Sequence, residues 1–277
     1  MVVRRKDPVQ KKKGLLKGRL RKKLGERRIK VEPFTALLPH IITVTALCSG
    51  ITGIRFALQE NWEAAIFAIL LAAFLDGVDG RLARLLGTAS HFGAELDSFA
   101  DVINFGIAPA FVMYFFSLHS LGNPGWAVIL FFCVCMVLRL ARFNVMAYDE
   151  SKMPAWGKHF SVGAPAPAAA LLCLSPLIFK LSGLGSFSPV SVAVVMVCVG
   201  WLMVSRVPTV SLKKLPLSQH HTIPVVLVVV ILLGCLYSEP WLTLSVTICG
   251  YVLSLPWIYW KYCQFMKVEK PIQHVEN

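Results

Sequence analysis

Residues 63–101 read EAAIFAILLAAFLDGVDGRLARLLGTASHFGAELDSFAD. From Ala64 to Leu75 the run is wholly apolar. It stops at Asp76, and five of the chain's fifteen acids then follow by position 101: Asp76, Asp79, Glu95, Asp97 and Asp101. Beyond Asp101 the chain turns apolar again as far as Leu118. A helix that crosses ~30 Å of hydrocarbon needs ~20 predominantly apolar residues. Working outward from this stretch, segments of that kind lie at about 36–58, 63–79, 95–118, 124–146, 164–181, 188–204, 222–237 and 240–260. The composition agrees, with 56% hydrophobic and 16% charged residues. The pattern predicts an all-α polytopic membrane protein and excludes a soluble globular domain. No repeat of 20–50 residues indicates a solenoid, and no matched pair of interrupted helices marks an inverted-repeat transporter.

Charge is unevenly placed. Fourteen of the 28 basic residues lie in positions 1–30, against only Asp7 and Glu26, so this tail carries +12 of the chain's +13. It has no aromatic residue for base stacking and leads into a membrane span. Anionic lipid headgroups, at ~1 kcal/mol per basic residue, are therefore the expected partner, and nucleic acid is not. The connections at 59–62, 119–125, 182–186 and 238–240 contain no Lys or Arg. The alternate connections hold Arg81, Arg84, Arg142, Lys152, Lys158, Arg206, Lys213 and Lys214. This asymmetry predicts a multi-pass protein of the cell (inner) membrane with both termini cytoplasmic. The cysteines sit mostly in apolar runs without a CxxC pair, so neither a disulfide framework nor a zinc site is indicated.

Carboxylates at membrane depth are costly and point to function. Asp76 and Asp79 are three residues apart, about 60° around a helix, while Asp97 and Asp101 are four apart, about 40°. Glu95 lies ~200° from Asp97 and is read as peripheral. Two antiparallel helices can bring the two faces together. Four carboxylates so placed could not all stay ionised without cations. Their charge matches two divalent ions, and hard oxygen ligands suit Mg²⁺ or Mn²⁺. Gly77 and Gly80 allow close backbone approach, Gly93 leaves room one turn before Asp97, and Arg84 can pair with phosphate oxygens. A divalent-cation transporter could also carry Asp in its spans. It would need a polar path to the outer face, which spans 2 and 3 lack.

The pattern Asp76-x2-Asp79-Gly80-x2-Ala83-Arg84-x8-Gly93-x3-Asp97-x3-Asp101 resembles the signature of the CDP-alcohol phosphatidyltransferases, with all eight fixed positions matched. The resemblance implies a six-helix catalytic core plus two C-terminal transmembrane helices. The boundaries are a basic tail (1–33), a catalytic membrane domain (34–215) and the added helices (216–277). It implies that Asp76, Asp79, Asp97 and Asp101 hold two metal ions and that Asp101 is the base. Gly80, Arg84, Ser90 and Gly93 fall at positions facing the CDP-diacylglycerol donor. The family's Asn-x-x-Thr in the first span reads His40-Ile-Ile-Thr43 here, so Thr43 matches and His40 stands in place of Asn. Homodimer formation is also implied.

The signature fixes the donor and leaves the acceptor alcohol open among serine, glycerol 3-phosphate, inositol phosphate and choline-type alcohols. Three more segments, Arg139-Leu-Ala-Arg142-Phe143-Asn144, Gly163-Ala-Pro165-Ala-Pro167 and Ser205-Arg206-Val-Pro208-Thr209, resemble the membrane-bound phosphatidylserine synthases of this family. That likeness implies L-serine as acceptor. Serine brings a carboxylate that suits Arg142 and Arg206, and an ammonium that suits Asn104 and Asn144. A phosphatidylglycerophosphate or phosphatidylinositol phosphate synthase is the alternative within the family.

Overall fold

A computed structural model describes residues 34–88, 90–148, 161–205, 208–209, 227, 230–231 and 234–273. The basic tail, Arg206 and most of the 222–237 span lie outside the described residues. Residues Pro39–Asn277 form one compact unit, which contains every described site residue.

Helix α1 (Phe34–Leu58) buries Thr43, Ala46, Gly50, Gly53 and Ala57, a stripe of small residues spaced alternately three and four. A Cβ on Gly53 would come within 3.2 Å of the Ala65 carbonyl. The small stripe thus lets α1 meet α2 (Trp62–Leu85) backbone to backbone, as packed membrane helices commonly do. Ser49 strengthens the contact by donating to the Ala68 carbonyl at 2.7 Å. On the other side Ile41, Val44, Ile51 and Leu58 are exposed, as lipid-facing residues are. Helix α2 runs six residues past the 63–79 span and so carries the Asp76–Arg84 stretch as continuous helix.

The next span starts as α3 (His91–Asp101), passes through a π-helical turn at Val102–Ile107 and ends as α4 (Ala108–Phe116). Gly106 in that turn faces Met136 of α5 (Asn123–Tyr148), where a Cβ would sit 2.9 Å from Cγ. Two shorter apolar helices follow, α6 (Ala166–Leu181) and α7 (Pro189–Val204), and then α8 (Pro240–Gln273). Helix α5 packs along α7, and α6 packs against both α7 and α8. Phe105, Phe132, Met136, Leu174 and Met196 fill the centre. A two-residue antiparallel pair, β1 (Ser161–Val162) with β2 (Pro208–Thr209), staples the connection before α6 to the segment after α7. At the end away from the acids, Lys180 Nζ lies 5.0 Å from the centre of the Phe116 ring, a cation–π contact.

Leu37–Leu58, His91–Phe116 and Asn123–Met146 are long and apolar enough to cross a bilayer. The chain is an all-α membrane protein.

Candidate active site

The antiparallel passage of α2 and α3 gathers the acids. Asp76, Asp97 and Asp101 each bring a carboxylate oxygen within 4.8 Å of the others. Carboxylates so close repel when ionised, so protons or cations must lie among them. Asp101 Oδ1 is buried and accepts no hydrogen bond, leaving a lone pair for a hard cation. The cluster therefore fits a divalent metal.

Asp79 stands beside this trio rather than within it. It is 3% exposed, and its Oδ2 accepts from the Thr43 hydroxyl at 2.6 Å. Its Oδ1 is buried without a hydrogen-bond partner, so one oxygen is anchored to α1 and the other is available to a ligand.

A cleft of ≈ 170 Å³ opens next to Asp79 and Asp97. His40, Thr43, Gly80, Arg84, Ser90 and Gly93, all six residues expected on the donor side, line it. Added Cβ atoms on Gly77 or Gly80 would meet nothing within 4 Å, so open space lies over this face of α2. Ser90 also caps α3, accepting from the Gly93 N–H at 3.1 Å, which satisfies one of the helix's orphan donors. The room beside Gly93 is filled by protein: a Cβ there would lie 2.6 Å from His40 Cε1. The imidazole in turn stands edge-on to Phe92, with centroids 5.6 Å apart.

The residues expected on the acceptor side are dispersed. Asn104 sits in the π turn, fully buried against Gly50 of α1, with neither amide atom hydrogen-bonded. Single π turns recur at functional sites, and this one follows Asp101 directly. Asn144 Nδ2 donates to Ser98 Oγ at 3.0 Å and ties α5 to α3. Arg142 donates to the carbonyls of Val204 at 2.8 Å, Met203 at 3.1 Å and Ser205 at 3.3 Å, at the end of α7. The neighbouring arginine, Arg139, lies within electrostatic reach of Asp101. Its Nε donates to the Ala164 carbonyl at 2.6 Å, and its charge acts on Asp101 and on Tyr251 of α8. No motif assigns Arg139 a role, and its only signal in the sequence is its place at the head of the Arg139–Asn144 stretch.

A carboxylate cluster that could hold a metal ion stands beside a glycine-opened cleft with Arg84 in its wall. The description of the CDP-alcohol phosphatidyltransferases matches residues 36–204, and that of a second group, CDP-alcohol phosphatidyltransferase 2, matches residues 222–256. The chain is 40% identical over 222 residues to a CDP-diacylglycerol–serine O-phosphatidyltransferase of Mycobacterium leprae, covering 79% of this chain and 73% of the relative. It is 31% identical over 227 residues to the enzyme of that name from Helicobacter pylori, covering 80% and 92%. An archaetidylserine synthase of Methanothermobacter thermautotrophicus is 34% identical over 185 residues, covering 64% and 71%. The chain belongs to the CDP-alcohol phosphatidyltransferase family and is a membrane-bound transferase of phospholipid synthesis.

Proposed function

We propose that the protein transfers the phosphatidyl group of CDP-diacylglycerol to the hydroxyl of L-serine, giving phosphatidylserine and CMP. The observation that carries this reading is the Asp76–Asp97–Asp101 cluster beside a cleft lined by all six donor-side residues. The two relatives named for serine transfer support the choice of acceptor. Asp76, Asp79, Asp97 and Asp101 are the ligand set for two divalent cations, Mg²⁺ or Mn²⁺. Bound there, the ions would neutralise the pyrophosphate and the charge that develops on it during transfer. Arg84 pairs with phosphate oxygens, and His40, Thr43, Gly80, Ser90 and Gly93 shape the nucleotide side of the cleft. Asp101 accepts the serine hydroxyl proton. The oxygen then bonds to the β-phosphorus while the anhydride bond breaks, and CMP leaves with the electron pair. Asn104 supports the amine end, since its buried amide has no protein partner.

In this reading residues 34–215 are the catalytic domain and 216–277 the added helices. The 1–33 tail lies on anionic headgroups of the cell (inner) membrane, with both termini cytoplasmic and the protein a homodimer. The test is CMP release by purified protein from CDP-diacylglycerol, with serine, glycerol 3-phosphate and inositol phosphate compared in parallel. Serine-dependent release that stops with EDTA and returns with Mg²⁺ or Mn²⁺ is expected. Release with a phosphorylated alcohol alone would replace serine with that acceptor.

A further inference from the structure

Two groups that the donor side does not use are linked to Asp101 in turn: Arg139 lies within electrostatic reach of Asp101, and Tyr251 within reach of Arg139. Arg139 is fixed through Nε to the Ala164 carbonyl, and its two terminal nitrogens make no hydrogen bond among the described residues. They form a planar pair of donors, the geometry that matches a carboxylate. Tyr251 comes from α8, outside the six-span core. Its hydroxyl is buried and has no hydrogen-bond partner, and it lies within electrostatic reach of Arg139. Leu244, Ile248 and Tyr251 share one face of α8 at helical spacing. Leu244 and Ile248 are 8% and 4% exposed, so that face is the inward one. Ser245 fixes the helix in place, its hydroxyl 3.1 Å from that of Ser182 at the end of α6. A buried hydroxyl left unpaired is costly, and an arginine fork beside it is an incomplete site. One anionic group placed between them would satisfy both.

We propose that Arg139 and Tyr251 form the subsite for the acceptor's carboxylate, with α8 completing the pocket beside Asp101. The proposal rests on the serine reading above. Arg139 takes the carboxylate end-on through its terminal nitrogens, and the Tyr251 hydroxyl donates to the same group. This holds the acceptor hydroxyl on the Asp101 side. Arg142, three residues on, is a positioning residue whose donors are spent on the end of α7.

The test uses the full-length protein in mixed micelles with CDP-diacylglycerol and two acceptors, serine and serinol, which keeps the amine and hydroxyl but lacks the carboxylate. Arg139→Lys is expected to raise the KM for serine about ten- to a hundred-fold, as for a lost charge-assisted hydrogen bond. Serinol turnover and the KM for CDP-diacylglycerol stay near wild type, so the preference for serine over serinol collapses. Tyr251→Phe narrows the same preference, several-fold. Equal effects on both acceptors, or none, overturn the subsite. If Arg139→Lys does not fold, an unmoved serine KM in Tyr251→Phe overturns it. Wild-type protein that releases no CMP with serine refutes the serine reading itself, and the subsite falls with it. Serine-dependent release with unmoved variants refutes only the subsite.

Discussion

Thr43 on α1 donates its hydroxyl to Oδ2 of Asp79 on α2 across 2.6 Å, and both side chains are buried. The bond links residues 36 positions apart and fixes which Asp79 oxygen is left to a ligand. A buried carboxylate that loses a donor bears a desolvation cost of ~1–3 kcal/mol or more. Thr43→Val keeps the shape and removes the hydroxyl. It is expected to raise the KM for CDP-diacylglycerol by about ten-fold while leaving that for serine near wild type. Unchanged donor kinetics in this variant would reduce the bond to a helix-packing contact.

His40 and Gly93 are coupled by space. A Cβ at 93 overlaps the imidazole, and the ring can yield only by giving up its edge-on contact with Phe92. Gly93→Ala should therefore weaken donor binding several-fold with little loss of stability, because the moving atoms are a side-chain tip. His40→Ala removes the obstacle. The double variant should then be no worse than His40→Ala alone, a coupling of the kind expected for touching residues. Additive losses would mean that Gly93 acts on the donor directly.

Much of this site was legible in the sequence, because the four Asp and their glycines sit at helical spacings within 26 residues. Short-range spacing says which side chains share a face. It does not say which partner a long-range contact supplies. Asp79 departs from the trio because of Thr43, on another helix. The π turn adds one residue to a repeat that hydropathy reads as unbroken helix. Arg139 and Arg142 are one turn apart and equivalent by pattern. Only the packing of α5 between the acids and α7 separates them. Tyr251 lies outside every motif, and a buried tyrosine in an apolar helix carries no signal of its own.

Asp101 and Asp76 are both in the cluster but are expected to fail differently. Asp101→Asn is nearly isosteric and still fits among the carboxylates, yet it cannot accept a proton. Turnover should fall by about 10²–10⁴-fold, the usual contribution of a general base, with CDP-diacylglycerol binding largely kept. Asp76→Ala removes one of the three carboxylates of the proposed metal site, so donor affinity and the divalent ion concentration needed for half-maximal activity should both worsen. Turnover above about a tenth of wild type in Asp101→Asn would remove the base assignment. An unchanged metal requirement in Asp76→Ala would count against the cluster as a metal site.

Arg142 provides the sharpest contrast with Arg139. The last carbonyls of a helix have no intrahelical partner, and a cation there is favourable. Arg142 meets Met203, Val204 and Ser205 with two of its nitrogens. Gly163, at φ 74°, closes over the same guanidinium, where a Cβ would lie 3.1 Å from Nη2. Arg142→Lys keeps the charge but has no planar fork to span three carbonyls, so one or two of these bonds are lost. At ~1.5–3 kcal/mol for bonds to a charged group, and about 2–4 °C per kcal/mol in a chain of this size, the Tm should fall by roughly 5 °C. The ratio of the serine KM to the donor KM should not move, because a strut at the end of α7 shifts both substrates together. A raised serine KM at unchanged Tm would give the carboxylate to Arg142 and take it from Arg139.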